Sequence, residues 1–145
     1  MANTIDTATK IDLLRKQACF AKFNDEEMQV LAGLLREKDY RKGDVIVREG
    51  DRVDSVFLII SGEADVRTAK NKDFPEQTES VAALSRGQSI GLNETGFYSL
   101  SGVRTATVLA KTDMLLLRLS VAAFHGFALA YTHVSDVMRG YSKLY

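Results

Sequence analysis

The sequence predicts a mainly β domain with helices at both ends, built as a sandwich or barrel. Three observations predict it. Apolar residues recur at helical spacing before residue 40 and again after residue 120. Between them the pattern changes toward the period of two that marks strands. That middle section is cut into short runs by turn signals at Gly50-Asp51, Ser61-Gly62 and Arg86-Gly87, as in all-β folds. The length of 145 residues fits one domain with a sizeable core.

Met1 to Thr9 carries no periodic pattern, so residues 1–10 read as a flexible leader and residues 11–145 as the domain. Ile11, Leu14 and Ala18 then fall at helical spacing. Asn24 is a good N-cap and Glu27 lies three residues later, the pattern of a capping box. Met28, Leu31, Ala32 and Leu35 follow as one apolar stripe. From Tyr40 onward, Val45 and Val47 begin a strand-like pattern. Ser55 to Ile60 is apolar on both faces and rich in β-branched residues, which predicts a buried strand. Ala64, Val66 and Thr68 alternate with Glu63, Asp65 and Arg67, which predicts a half-exposed one. Lys70 to Glu76, with the sole proline Pro75, reads as a polar hairpin loop. Further strands are predicted over 80–84, 104–109 and 114–119. Ser120 can cap a helix carrying Phe124, Phe127, Ala128 and Tyr131. Val134, Val137, Met138, Tyr141 and Tyr145 mark a second stripe that is still amphipathic where the sequence stops.

Composition excludes several classes. Lysine plus arginine equals aspartate plus glutamate at 19 each, unlike the basic excess of a general nucleic-acid binder. No apolar run approaches the ~20 residues that span a bilayer. The polar start lacks a signal core, which argues for a cytoplasmic protein. Cys19, alone, sits among apolar and small neighbours and reads as a packed thiol. His125 and His133 lie eight residues apart with no third histidine or cysteine near them in sequence, so no metal is expected. A jelly-roll metalloenzyme would need histidines and carboxylates on its strands, and both histidines lie outside them. No Ser-His-Asp or Cys-His arrangement is visible either, so catalysis is not expected.

The chemistry-bearing segment runs from Asn93 to Val108. It places Glu94 ten residues before Arg104, with Gly96 and Gly102 between them. Glycines and small residues let backbone N–H groups approach an anion, and arginine supplies a fixed cationic fork. Such a segment suits a cyclic phosphodiester held at one end and a ribose hydroxyl at the other.

Three pieces together resemble the cyclic nucleotide-binding domain family, from about Leu13 to the C-terminus. The first is Phe20-Ala21-Lys22-Phe23-Asn24-Asp25-Glu26-Glu27. The second is Tyr40-Arg41-Lys42-Gly43, Arg48-Glu49-Gly50-Asp51 and Phe57-Leu58-Ile59-Ile60-Ser61-Gly62-Glu63 in order. The third is the 93–108 segment, which looks like the family's phosphate-binding cassette. The resemblance implies an eight-stranded antiparallel jelly-roll barrel with an N-terminal helical segment and C-terminal helices, a shape that can hold one small ligand. It implies a nucleotide site of Glu94, Thr95, Gly96, Phe97, Tyr98, Arg104, Thr105 and Ala106. In it, Arg104 would pair with the phosphate oxygens. Backbone N–H groups at 96–98, on a short cassette helix, would add donors. Glu94 would take the ribose 2′-hydroxyl, and Thr105 the phosphate or the base. Val56, Leu58 and Val108 are the candidates for apolar wall, and Tyr141 or Tyr145 is either a packing residue or a lid over the base.

The implied function is a non-catalytic regulatory domain for cyclic AMP or cyclic GMP, with no cofactor beyond that ligand. Its C-terminal helices would pass the signal to an effector domain or protein partner, and a homodimer is compatible with it. Threonine after the arginine points toward cyclic GMP competence. The sequence departs from the family pattern in one place. Counting from Gly87 puts Leu92 where the acid should be, whereas counting back from Arg104 puts Glu94 there and Asn93 in place of a glycine. An insertion near Gly91-Leu92 reconciles the two counts. The alternative is the same fold used as a docking or dimerisation scaffold without nucleotide.

Overall fold

The computed structural model describes residues 5–142 except 72, 75, 94, 95 and 98–101. The chain opens with α1 (Thr7–Arg15), a 3-10 turn (Ala18–Phe20) and α2 (Asp25–Leu34). Asp6 caps α1 by accepting from the Thr9 N–H, so this helix takes in the last residues of the segment read as leader. The capping box at α2 is formed as expected. Asn24 Oδ1 accepts from the Glu27 N–H at 2.9 Å, and Glu27 Oε1 accepts from the Asn24 N–H at 2.8 Å.

The strands follow: β1 (Arg36–Tyr40), β2 (Val45–Val47), β3 (Ser55–Ser61), β4 (Ala64–Ala69), β5 (Thr78–Leu84) and β6 (Ser89–Ile90), then β7 (Leu92–Asn93), β8 (Gly96–Phe97), β9 (Thr107–Ala110) and β10 (Met114–Ser120). Eight of them form two antiparallel four-stranded sheets, ordered β1-β10-β3-β6 and β2-β9-β4-β5. The predicted class and its eight strands hold, but the barrel is not closed. Among the described residues no ladder joins one sheet to the other, so the fold is a jelly-roll sandwich with free sheet edges. β7 and β8 form a separate ribbon. The chain ends in α3 (Val121–Ala130), capped by Ser120, and α4 (Thr132–Ser142).

Strand β3 divides the core. Val56, Leu58 and Ile60 pack with the helices, in a cluster that includes Leu13, Phe20, Phe23, Phe124 and Phe127. Phe57 and Ile59 point the other way and pack with Ile46, Val108 and Leu116 between the sheets. The strand is apolar on both faces because each face has a layer to cover, and full burial of each such side chain stabilises by about 1.5–3 kcal/mol. Phe20, Phe23 and Phe124 stack with ring centroids 5.5–6.5 Å apart, tying the N-terminal helices to α3.

Candidate functional site

Arg104 does not open a strand, as the sequence suggested; β9 begins only at Thr107. Its backbone is instead fixed by the Gly50-Asp51 turn. The Gly50 N–H donates to the Arg104 carbonyl at 2.9 Å, and the Arg104 N–H donates to the Asp51 carbonyl at 2.7 Å. These bonds bring the Arg48-Glu49-Gly50-Asp51 motif against the cassette arginine, which is far from it in sequence.

The guanidinium is buried, with 6% of the side chain exposed. Nη2 donates to the Ser55 carbonyl at 2.6 Å and lies 3.9 Å from Asp54 Oδ1. Burial pulls the Arg104 pKa below the usual arginine value. Asp54 opposes this by favouring the charged form, and Arg118 adds to the lowering. Asp54 also reaches Arg118, with Oδ2 3.7 Å from Nη2, and its Oδ1 accepts from the Ser55 hydroxyl at 2.9 Å. Gly91 makes the seat. It has φ +95°, and a Cβ there would stand 2.9 Å from Val56 Cγ1 and 3.1 Å from Arg104 Nη1.

Arg104, Thr105 and Ala106 line a cavity of about 550 Å³, well within the size of small-ligand sites. The rest of its wall is mostly apolar and includes Val47, Val66, Val81, Leu84 and Val108. Val108 is therefore wall, as expected. Val56 and Leu58 are not, because their β3 positions face the helices. A site with a buried fixed cation in a mostly apolar wall suits a ligand with one anionic group on a weakly polar frame.

Of the remaining expected residues, Glu94, Thr95 and Tyr98 lie outside the described residues, as does Tyr145. Gly96 and Phe97 are extended rather than helical, because their backbone pairs with Leu92 and Asn93 in the ribbon. Leu92 itself is buried, packs with the helical core and also lines the cavity. The ribbon touches both helical ends of the molecule: β7 lies against the 3-10 turn and β8 against α4. His125 is exposed. His133 bonds to Glu27 through Nδ1 at 2.8 Å. Sequence reasoning missed Gly91, Asp54 and the Ser55 carbonyl. Only the glycine carried a signal, as a turn residue between two short apolar runs.

The chain resembles known proteins in sequence and in fold. The cyclic nucleotide-binding domain family matches residues 37–131. A cAMP-dependent protein kinase regulatory subunit from Dictyostelium discoideum is 30% identical over 122 residues, covering 83% of this chain. The chain spans only 36% of that relative's length. Among solved structures, the N-terminal domain of a transcriptional regulator from Streptomyces coelicolor A3(2) superposes with a TM-score of 0.75 at 23% identity, covering 91% of this chain and 88% of that one. A structure described as cAMP-bound PfPKA-R superposes with a TM-score of 0.73 at 22% identity, covering 88% and 43%. At these identities the two structures establish the fold alone. Among the described residues no helix is long and apolar enough to cross a membrane.

Proposed function

Because this chain belongs to the cyclic nucleotide-binding domain family, with the match running over residues 37–131, we propose that it is a non-catalytic sensor of a cyclic mononucleotide. The observation that carries the reading is the buried Arg104 guanidinium in the wall of the mostly apolar cavity. In this reading Arg104 takes the phosphodiester and backbone N–H groups near Gly96 and Phe97 add donors. Glu94 accepts the ribose hydroxyl, and the apolar wall holds the base. The Dictyostelium relative is named for cAMP, which makes cAMP the first ligand to test. Thr105 lines the cavity and can offer its hydroxyl to a guanine amino group, which makes cyclic GMP the second.

Output would pass through the ribbon. Drawing the cassette toward a phosphate moves β7 and β8, which touch the 3-10 turn and α4. The ligand shifts helix docking only through its differential affinity for the two arrangements. The receiver is an effector domain or a cytoplasmic partner protein, with self-association as one possible form.

Calorimetric titration of the parent and Arg104→Ala with both nucleotides tests the site. Breaking a buried charge pair costs about 2–5 kcal/mol, so affinity should fall roughly 30- to 3,000-fold. Equal binding by both proteins would sink the assignment.

One observation favours a second reading, a nucleotide-free scaffold. Leu92, the position that the count from Gly87 gives to the acid, is a buried apolar group in the cavity wall. The scaffold reading predicts no thermal shift with millimolar cyclic AMP, cyclic GMP or cyclic dinucleotides. A saturable stabilisation following RT ln(1 + [L]/Kd) would eliminate it.

A further inference from the structure

Arg118 stands in an unfavourable place for a purely structural residue. On β10 it sits directly opposite Arg36 of β1, and like charges opposed across a ladder repel. Arg36 turns away to the carbonyls of Gly33 and Leu35. Arg118 turns instead to Asp54, with Nη2 3.7 Å from Oδ2. The Asp54 side chain is 75% exposed, and an ion pair this long and this exposed adds little to stability. What sets it apart is its other oxygen, which faces the buried guanidinium of Arg104 at 3.9 Å.

One carboxylate is thus shared by two arginines, with both its oxygens engaged. Asp54 stabilises the charged Arg104, but it also opposes any anion that approaches Arg104. The Arg104–Asp54 pair alone sums to zero charge, and a bound phosphodiester would leave the group at minus one. With Arg118 the three side chains sum to plus one, and a phosphodiester brings them to neutrality.

We propose that Arg118 is a positioning residue for the anion site: it holds Asp54 and offsets its charge, so that Arg104 can accept a phosphodiester. The inference rests on the cyclic-nucleotide reading given above and adds a residue to it. Arg118 touches no ligand; it acts through Asp54.

The test is calorimetric titration with cyclic AMP and cyclic GMP at low and high salt, on the parent, Arg118→Gln, Arg118→Lys, Asp54→Asn and the Asp54→Asn/Arg118→Gln double variant. Thermal unfolding midpoints are measured alongside. Arg118→Gln should weaken binding about 3- to 10-fold at low salt, and less at high salt, because the effect is electrostatic. Its unfolding midpoint should stay near that of the parent. Arg118→Lys should keep most of the affinity. In the Asp54→Asn background the loss on removing Arg118 should shrink to within about twofold, since coupled residues are not additive. Unchanged affinity in Arg118→Gln overturns the proposal. So does a loss of the same size in the Asp54→Asn background, or a lysine variant as weak as the glutamine one. A parent that binds neither nucleotide overturns the sensor reading and this inference with it. A parent that binds, beside an unaffected Arg118→Gln, removes this inference alone.

Discussion

Nδ1 of His133 lies 2.8 Å from Oε1 of Glu27, joining α4 to α2 across 106 residues of sequence. The same Glu27 oxygen accepts the Asn24 N–H that completes the capping box. Its side chain is 2% exposed, whereas His133 is half exposed. One buried carboxylate therefore closes the start of α2 and holds the helix that the sensor reading needs to move.

These two roles have separable costs. His133→Ala removes only the contact to α4 and should cost about 0.5–1.5 kcal/mol, the net worth of an ordinary hydrogen bond. Glu27→Ala removes that contact and the return arm of the capping box, so it should cost about 2–3 kcal/mol. For a domain of this size about 1 kcal/mol corresponds to a shift of roughly 3–5 °C in Tm. Thermal unfolding of both variants checks the order. Equal losses would mean that Glu27 contributes nothing at the helix start.

Asp65 supplies a pH test on the opposite sheet. Its Oδ1 accepts from the Ser80 hydroxyl at 2.5 Å and its Oδ2 from Arg67 Nη1 at 2.9 Å. The Ser80 hydrogen bond first, and the Arg67 one second, hold its carboxyl below the ordinary value of 3.8. A folded pKa lower than the unfolded one gives stability that is full above the unfolded value. That stability is lost as pH falls through the folded one. Asp65→Asn should therefore be less stable than the parent at neutral pH, by about 1 kcal/mol. The gap should close once the parent carboxyl protonates below about pH 3.8. Denaturant titrations at neutral and strongly acidic pH decide it, and a gap that widened toward acid would contradict the assignment.

What the sequence made legible was local or periodic. The Asn24–Glu27 box spans four residues, and its two bonds formed as expected. Strand β3 was evident from its apolar, β-branched run, but its orientation was not. No polar residue marks a solvent face, so Val56 and Leu58, which pack with the helices, could not be told from Phe57 and Ile59, which pack between the sheets, and the pair expected at the cavity does not line it. Strand β1, Arg-Glu-Lys-Asp-Tyr, has no apolar pattern and exists because β10 offers it a complete ladder from Arg36–Arg118 to Tyr40–Met114. Arg104 could be found from its neighbours in sequence. Its seat could not, because a contact to the Ser55 carbonyl spans 49 residues and a backbone oxygen leaves no mark on the sequence.

Gly91 is the position where fold and site meet most tightly. Two separate effects oppose a side chain there. The backbone has φ +95°, a conformation that costs a non-glycine residue roughly 1–2 kcal/mol. The added Cβ would also press on Val56 Cγ1 at 2.9 Å and Arg104 Nη1 at 3.1 Å. Val56 is fully buried in the helical core and has little room to yield, so the guanidinium should be the group that moves, away from the Ser55 carbonyl. Gly43 gives the control: its φ is +93°, but a Cβ there meets nothing within 4 Å. Both Gly43→Ala and Gly91→Ala should lower Tm, since both carry the backbone cost. Only Gly91→Ala should also weaken cyclic-nucleotide binding, by about tenfold if one good contact to the phosphate is lost, which is about 1.4 kcal/mol. Calorimetry on the two variants separates the effects. If Gly91→Ala binds as tightly as Gly43→Ala, the arginine does not depend on this glycine for its position.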